Sequence, residues 1–212
     1  MKRHLMISAG VLVLVTLISG CGGIQKTSRE ESPLIKPLMT YQSPIIRDVA
    51  QMLYPGFLQI VGELQTRFPD NTLTLANEGL QVTHLEQDLH IKQGFYVTMR
   101  FDVRNVDTEN DTGFIRQSQW IAKQYIHDIF VALSRDWNNV FSPALTGTEM
   151  IFFWKGRKPS LLRFVFSNDD AQNYLNAHMT LQEFIDRSWV EGRVGSQSLG
   201  QIELNDIGAD NI

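Results

Sequence analysis

One cysteine, Cys21, stands among 212 residues. That scarcity rules out any disulfide within the chain and any zinc cluster built on several thiolates. Cations are in the minority too: 19 Lys and Arg against 23 Asp and Glu give a net charge of −4. This balance argues against a nucleic-acid partner. No glycine-rich phosphate loop and no G-x-S-x-G nucleophile turn occurs. The nearest approach, Gly195-Ser196-Gln197-Ser198-Leu199-Gly200, puts Gln197 where the nucleophile belongs. His127 and His178 have no nucleophile beside them in sequence. Nothing implies a cofactor, and the reading leans against an enzyme.

What the chain has is a distinctive beginning. Lys2, Arg3 and His4 precede a mostly apolar run over residues 5–18, closed by Ser19-Gly20-Cys21. The run is shorter than the roughly 20 residues of a spanning helix. Basic start, apolar middle and small closing residues are the parts of a cleavable secretory signal at residues 1–20. The rival, an uncleaved anchor, fits less well because small residues and a cysteine end the run. Leu17-Ile18-Ser19-Gly20-Cys21 resembles the lipobox of bacterial lipoproteins. The resemblance covers residues 1–21 only. It implies cleavage before Cys21, diacylation of its thiol and usually a further acyl group on the new amino terminus. Two or more acyl chains anchor stably where one is marginal, and no free thiol would remain for catalysis. Gly22 follows, not the Asp that retains many enterobacterial lipoproteins in the inner membrane. The resemblance therefore implies the periplasmic face of the outer membrane in a diderm, or the outer face of the plasma membrane in a monoderm. Cleavage would remove Lys2 and Arg3 and no acid, leaving a net charge of −6. Such a chain has no polybasic support for membrane binding.

Residues 21–44 read as the lipidated cysteine and a flexible tether. Pro33, Pro37 and Pro44 favour extended backbone, and nothing is periodic. Residues 45–191 read as a single α+β domain. Residues 45–68 have the 3.6-residue spacing of a helix, with Ile45, Val49 and Met52 on one face and Phe57, Val61, Leu64 and Phe68 continuing as a buried stripe. Pro55 predicts a kink or two short helices. Strands follow at residues 72–76, 80–85 and 89–91. The clearest strand is 95–103, where Phe95, Val97, Met99, Phe101 and Val103 alternate with Tyr96, Thr98, Arg100 and Asp102. The longest helix spans 114–141, followed by a loop to residue 148. A strand at 150–154 and its hairpin partner at 161–166 come next. A short helix spans 169–177, and a second begins at the capping box Thr180-Leu181-Gln182-Glu183. Residues 192–212 read as a flexible acidic tail, with 202–204 as an optional edge strand. The expected architecture is a mostly antiparallel sheet of about five strands covered by helices on one face.

Three sets of residues invite a chemical reading. His84, Glu86, Asp88 and His90 alternate, and in one uninterrupted strand all four would share a face and suit a divalent ion. The apolar parity switches between Val82 and Leu85, however, which predicts a bulge or turn that separates them. They are weak metal candidates, and no metal is expected. Asp107, Glu109 and Asp111 imitate the start of a calcium loop. Thr112 replaces its glycine and Ser118 its closing glutamate, so helix capping explains the acids better. Tyr96, Arg100 and Arg104 lie on the polar side of strand 95–103 and are candidates for partner binding, Tyr and Arg being favoured in interfaces.

Three functions fit. The leading one is a membrane-anchored extracytoplasmic lipoprotein with a structural, accessory or adaptor role in a cell-envelope assembly. Its partners would be the membrane, through the lipid, and an envelope protein. The alternative is a ligand- or peptide-binding lipoprotein with a cleft between sheet and helix. The third is a hydrolase with dispersed histidines and acids.

Overall fold

Why the chain folds as it does is clearest in α1, Pro44–Arg67. Ser43 caps it by accepting a hydrogen bond from the Ile46 amide, and Pro44 sits in the first turn, where a missing donor costs nothing. The helix runs through Pro55 without a break, against the expected division. A proline inside a helix costs about 3 kcal/mol. Burial of Leu53, Phe57, Ile60 and Leu64 returns roughly 1.5–3 kcal/mol for each. Pro55 and Gln51, whose carbonyl loses its partner, both face solvent.

The computed structural model describes residues 32–88, 90–104, 106, 113–134, 144–156 and 158–205. The leader, Cys21, the Asp107–Asp111 acids, residues 135–141 of the expected long helix and residues 206–212 lie outside them. Six strands form one sheet in sequence order: β1 Leu73–Leu85, β2 Gly94–Val103, β3 Gly147–Lys155, β4 Pro159–Ser167, β5 Trp189–Val194 and β6 Gln197–Gln201. Every neighbouring pair is antiparallel except β2 and β3, which are parallel, Tyr96 opposite Gly147. The parallel step is spanned by α2, Phe114–Ser134, because parallel neighbours need a crossover. Two short helices, α3 Asn168–Leu175 and α4 Leu181–Arg187, link β4 to β5. Thr180 and Glu183 form the expected capping box, with both reciprocal hydrogen bonds present.

The four described helices share one core with one face of the sheet. Val97, Met99 and Phe101 of β2, Met150, Phe152 and Trp154 of β3, and Leu162, Phe164 and Phe166 of β4 point into it. Ile121, Ile126, Ile129 and Phe130 of α2 meet them there. This is the expected α+β arrangement, with six strands in place of five.

Several boundaries differ from expectation. The segments 72–76 and 80–85 are one strand with a bulge between Leu75 and Leu80. Glu78 takes a left-handed φ of 52° there. A Cβ on Gly79 would lie 2.6 Å from the Ala76 carbonyl oxygen, so the loop signal Asn77-Glu78-Gly79 marks a bulge and not a chain reversal. Residues 90 and 91 belong to no strand; the Asp88 and Ile91 backbones exchange hydrogen bonds of 3.0 and 3.3 Å in a turn.

The carboxy-terminal portion of the expected tether is also structured. Ile35 is 2% exposed and bridges Leu80 in parallel. Leu34 and Pro33 carbonyls accept from the Leu80 and Glu78 amides, and the Tyr41 phenol accepts from the Val82 amide. The edge of β1 is covered by this segment. At the other end, residues 192–205 are not a flexible tail. Gly195, with φ of 60°, turns the chain from β5 into β6. Leu204 is then buried, and its carbonyl accepts from Gln182 Nε2 at 2.8 Å. Glycine and serine here serve a hairpin and an edge strand.

Candidate functional site

The sheet face turned away from the helices carries the most organised polar group in the structure. Its residues alternate with the core residues: Gln81 and Thr83 on β1, Tyr96, Thr98, Arg100 and Asp102 on β2, and Glu149, Ile151 and Phe153 on β3. Leu161, Arg163 and Val165 follow on β4, with Trp189 and Glu191 on β5. No helix covers it.

Glu149 is at its centre and only 5% exposed. A buried carboxylate must be compensated, and both its oxygens are. Thr98 Oγ1 donates to Oε2 at 2.6 Å, and Arg163 Nε donates to Oε1 at 2.6 Å. Register explains both contacts: Thr98 lies directly opposite Glu149 on β2, and Arg163 lies one diagonal step away on β4. Arg163 also stands opposite Glu191 on β5 and donates from Nη1 to its Oε2 at 3.1 Å. Trp189 Nε1 donates to that same oxygen at 3.1 Å. Thr83 and Thr98 share a 2.7 Å hydroxyl contact. One continuous polar chain therefore crosses from β1 to β5. Burial opposes the charge on Arg163, but the two glutamates outweigh it and hold the guanidinium above its ordinary pKa.

Apolar residues flank this chain on both sides. At one end Ile91, Tyr96 and Val165 are buried against Leu85 and Trp189 under the turn that joins β1 to β2. Beyond it, Ile151, Phe153 and Leu161 are half-buried, with Arg100 and Asp102 exposed beside them. Together with Thr98 and Glu149 they line an open groove of about 770 Å³. A smaller cavity of about 240 Å³ lies between α1 and β1, lined mainly by Leu34, Val61, Leu64, Phe68, Leu73 and Phe101.

Tyr96, expected on an exposed polar face, is 3% exposed. Its phenol donates to the Lys92 carbonyl at 2.8 Å, and burial, then the Glu149 charge, push its pKa up. Two things bury it: the turn folds over it, and Gly147 opposite leaves room for the ring, since a Cβ there would meet Tyr96 at 2.8 Å. Arg100 and Arg104 are exposed, as expected of them. The members of the network that sequence reasoning missed are Glu149, Arg163 and Glu191. Their one signal was a charged residue at alternate positions of otherwise apolar strands.

The weak metal candidates are not brought together. His84 packs edge-on against Phe95, on the helix side of the sheet, and its Nδ1 lies 3.6 Å from Glu86 Oε1. His90 stacks on Trp189 on the opposite side, ring centroids 5.0 Å apart. Among the described residues no three of His, Cys, Asp or Glu cluster as a metal site would need. His127 Nδ1 lies 2.8 Å from the Tyr174 hydroxyl. Burial, then the Asp128 charge, push that phenol's pKa up to about 12, which makes it a weaker acid than a free phenol.

No protein-family description, no curated protein and no solved structure matches the chain.

Proposed function

We propose that the protein is a lipid-anchored extracytoplasmic adaptor that docks an envelope protein on the face of its sheet turned away from the described helices. The observation that supports this most is the Glu149–Arg163–Glu191 network. Half-buried Ile151, Phe153 and Leu161, bordered by exposed Arg100 and by an ordered polar chain, have the make-up of a protein interface: an apolar patch with a polar rim in which Arg is favoured. The same network argues for binding and not for proton transfer. Both Glu149 oxygens are held, by Thr98 and Arg163, and Glu191 Oε2 accepts from Arg163 and Trp189, so these hydrogen bonds hold shape. The anchor would come from Cys21. Among the described residues no helix is long and apolar enough to cross a membrane.

The test is site-specific photo-crosslinking in intact envelopes. A photoreactive residue at Ile151 or Arg100 should give one discrete adduct, and the same probe at Lys123, on the exposed side of α2, should not. Arg100→Glu combined with Phe153→Asp should abolish the adduct while the protein remains folded and membrane-bound. Equal, diffuse labelling from both sides would reject the docking face.

The small apolar cavity between α1 and β1 favours a second reading, a carrier of a small apolar ligand. Filling it with Val61→Phe, from the α1 side, would then displace ligand without touching the crosslink.

A further inference from the structure

Three of the most exposed large apolar side chains lie together in sequence. Met39 is 84% exposed, Ile45 64% and Met52 52%. Among the described residues the other exposed large apolar side chains, Ile115, Trp120 and Leu199, are no more than 39% exposed. Isolated exposed apolar residues are ordinary. Here, though, Ile45 and Met52 are seven residues apart on α1, nearly two full turns, so they share a face. Met39 sits in the 3-10 turn Leu38–Thr40, just before that helix. Their neighbours Leu38, Ile46 and Val49 turn inward onto the core, so the apolar character is doubled: one set for the core and one for the outside.

We infer that Met39, Ile45 and Met52 form a membrane-contacting patch that rests in the interfacial layer of the bilayer carrying the protein's own lipid anchor. This rests on the proposed acylation of Cys21. The occupant follows from chain length. Only residues 22–31 separate Cys21 from the described domain. Fully extended, ten residues reach about 35 Å; as a flexible coil they span roughly 17 Å. A domain of this length has a radius of gyration of about 16 Å. The tether is thus comparable with the domain's own radius, and it enters the domain at Ser32, seven residues before Met39. The segment next to the tether is the part of the domain held nearest to lipid. Its three outward side chains are uncharged, and Met and Ile suit the boundary between headgroups and acyl chains. The mature charge of −6 supplies no attraction to an anionic leaflet, so the contact depends on apolar insertion. A weak contact is enough, because the anchor keeps the patch at high effective concentration at the surface.

The test uses the full-length protein, purified from bacterial membranes. Acylation consumes the Cys21 thiol, so a single introduced cysteine can be labelled alone. Met39→Cys, Ile45→Cys, Met52→Cys and, as a remote control, Leu199→Cys each receive a bimane fluorophore. The proteins are reconstituted into phosphatidylcholine vesicles with and without nitroxide-labelled acyl chains. Labels at 39, 45 and 52 should be quenched several-fold more than the label at 199. If all four are quenched equally little while the acylated protein floats with the vesicles, the patch is overturned and the anchor stands. If labels at 39, 45 and 52 are instead shielded and copies crosslink through these cysteines, the patch is a dimer contact and the membrane assignment fails. If the purified protein carries no acyl chain by mass and does not float, the anchor reading fails and the inference falls with it.

Discussion

Arg163 donates its Nε–H to Glu149 Oε1 at 2.6 Å, diagonally across β3 and β4, on the side of the sheet turned away from the described helices. The pair is 20% and 6% exposed by side chain. Such a pair gives little net stability, because desolvation offsets attraction, but removing one member leaves the other uncompensated.

The two members should therefore respond unequally. Arg163→Met strands Glu149 among Thr98, Val165 and Ile151 and should cost about 3–5 kcal/mol. Glu149→Gln keeps an acceptor for Thr98 and leaves Arg163 paired with Glu191, so a loss of about 1–2 kcal/mol is expected. Urea unfolding followed by tryptophan fluorescence measures both. Equal losses would mean that the network is wetter than its burial implies.

The segment bridging β1 makes a second case. Ile35→Ala removes a buried side chain and should cost about 2 kcal/mol, the low end for a core truncation, because an edge segment can settle inward. Hydrogen exchange gives the sharper readout. The amides of Glu78 and Leu80, which donate to Pro33 and Leu34, should lose protection, while the β2–β3 amides keep theirs. Unchanged exchange at Glu78 and Leu80 would show that the segment's docking does not depend on Ile35.

Alkaline pH gives a third. Tyr41, Tyr96, Tyr125 and Tyr174 all have raised pKa values, burial being the largest cause in each, and Tyr174 reaches about 12. A phenol that holds its proton more tightly folded than unfolded stabilises the fold fully below the unfolded value of about 10. That contribution is lost as pH rises from there through the folded value. The melting temperature should fall steeply above about pH 10, and Tyr174→Phe should make the fall shallower. A wild-type melting temperature that stays level across that window would contradict this.

The helices and the central strands were legible because their periodicity is strong: α2 buries Ile121, Ile126, Ile129 and Phe130 at helical spacing, and β2 alternates along its length. The capping box at Thr180 was legible because it is local chemistry. Three features were not. Burial of Tyr96 depends on a turn folding over it and on Gly147 from a distant strand. The run of Gly and Ser after Gly192 has the composition of a tail, and only pairing with β5 makes it a strand. Glu149 and Arg163 join only through the register of β3 on β4. Alternation assigns a residue to a face but does not say what else lies there.

The single parallel seam between β2 and β3 has a consequence for how the molecule assembles. The hairpins β1–β2, β3–β4 and β5–β6 join strands that are near neighbours in sequence, so each closes a short loop. The seam closes only after the whole of α2 has been traversed, and non-local pairings of this kind set the pace of folding. Thr98 and Glu149 face one another across it. The polar chain on the open face therefore stays incomplete until that long-range seam closes, and its charges come together only with the tertiary fold.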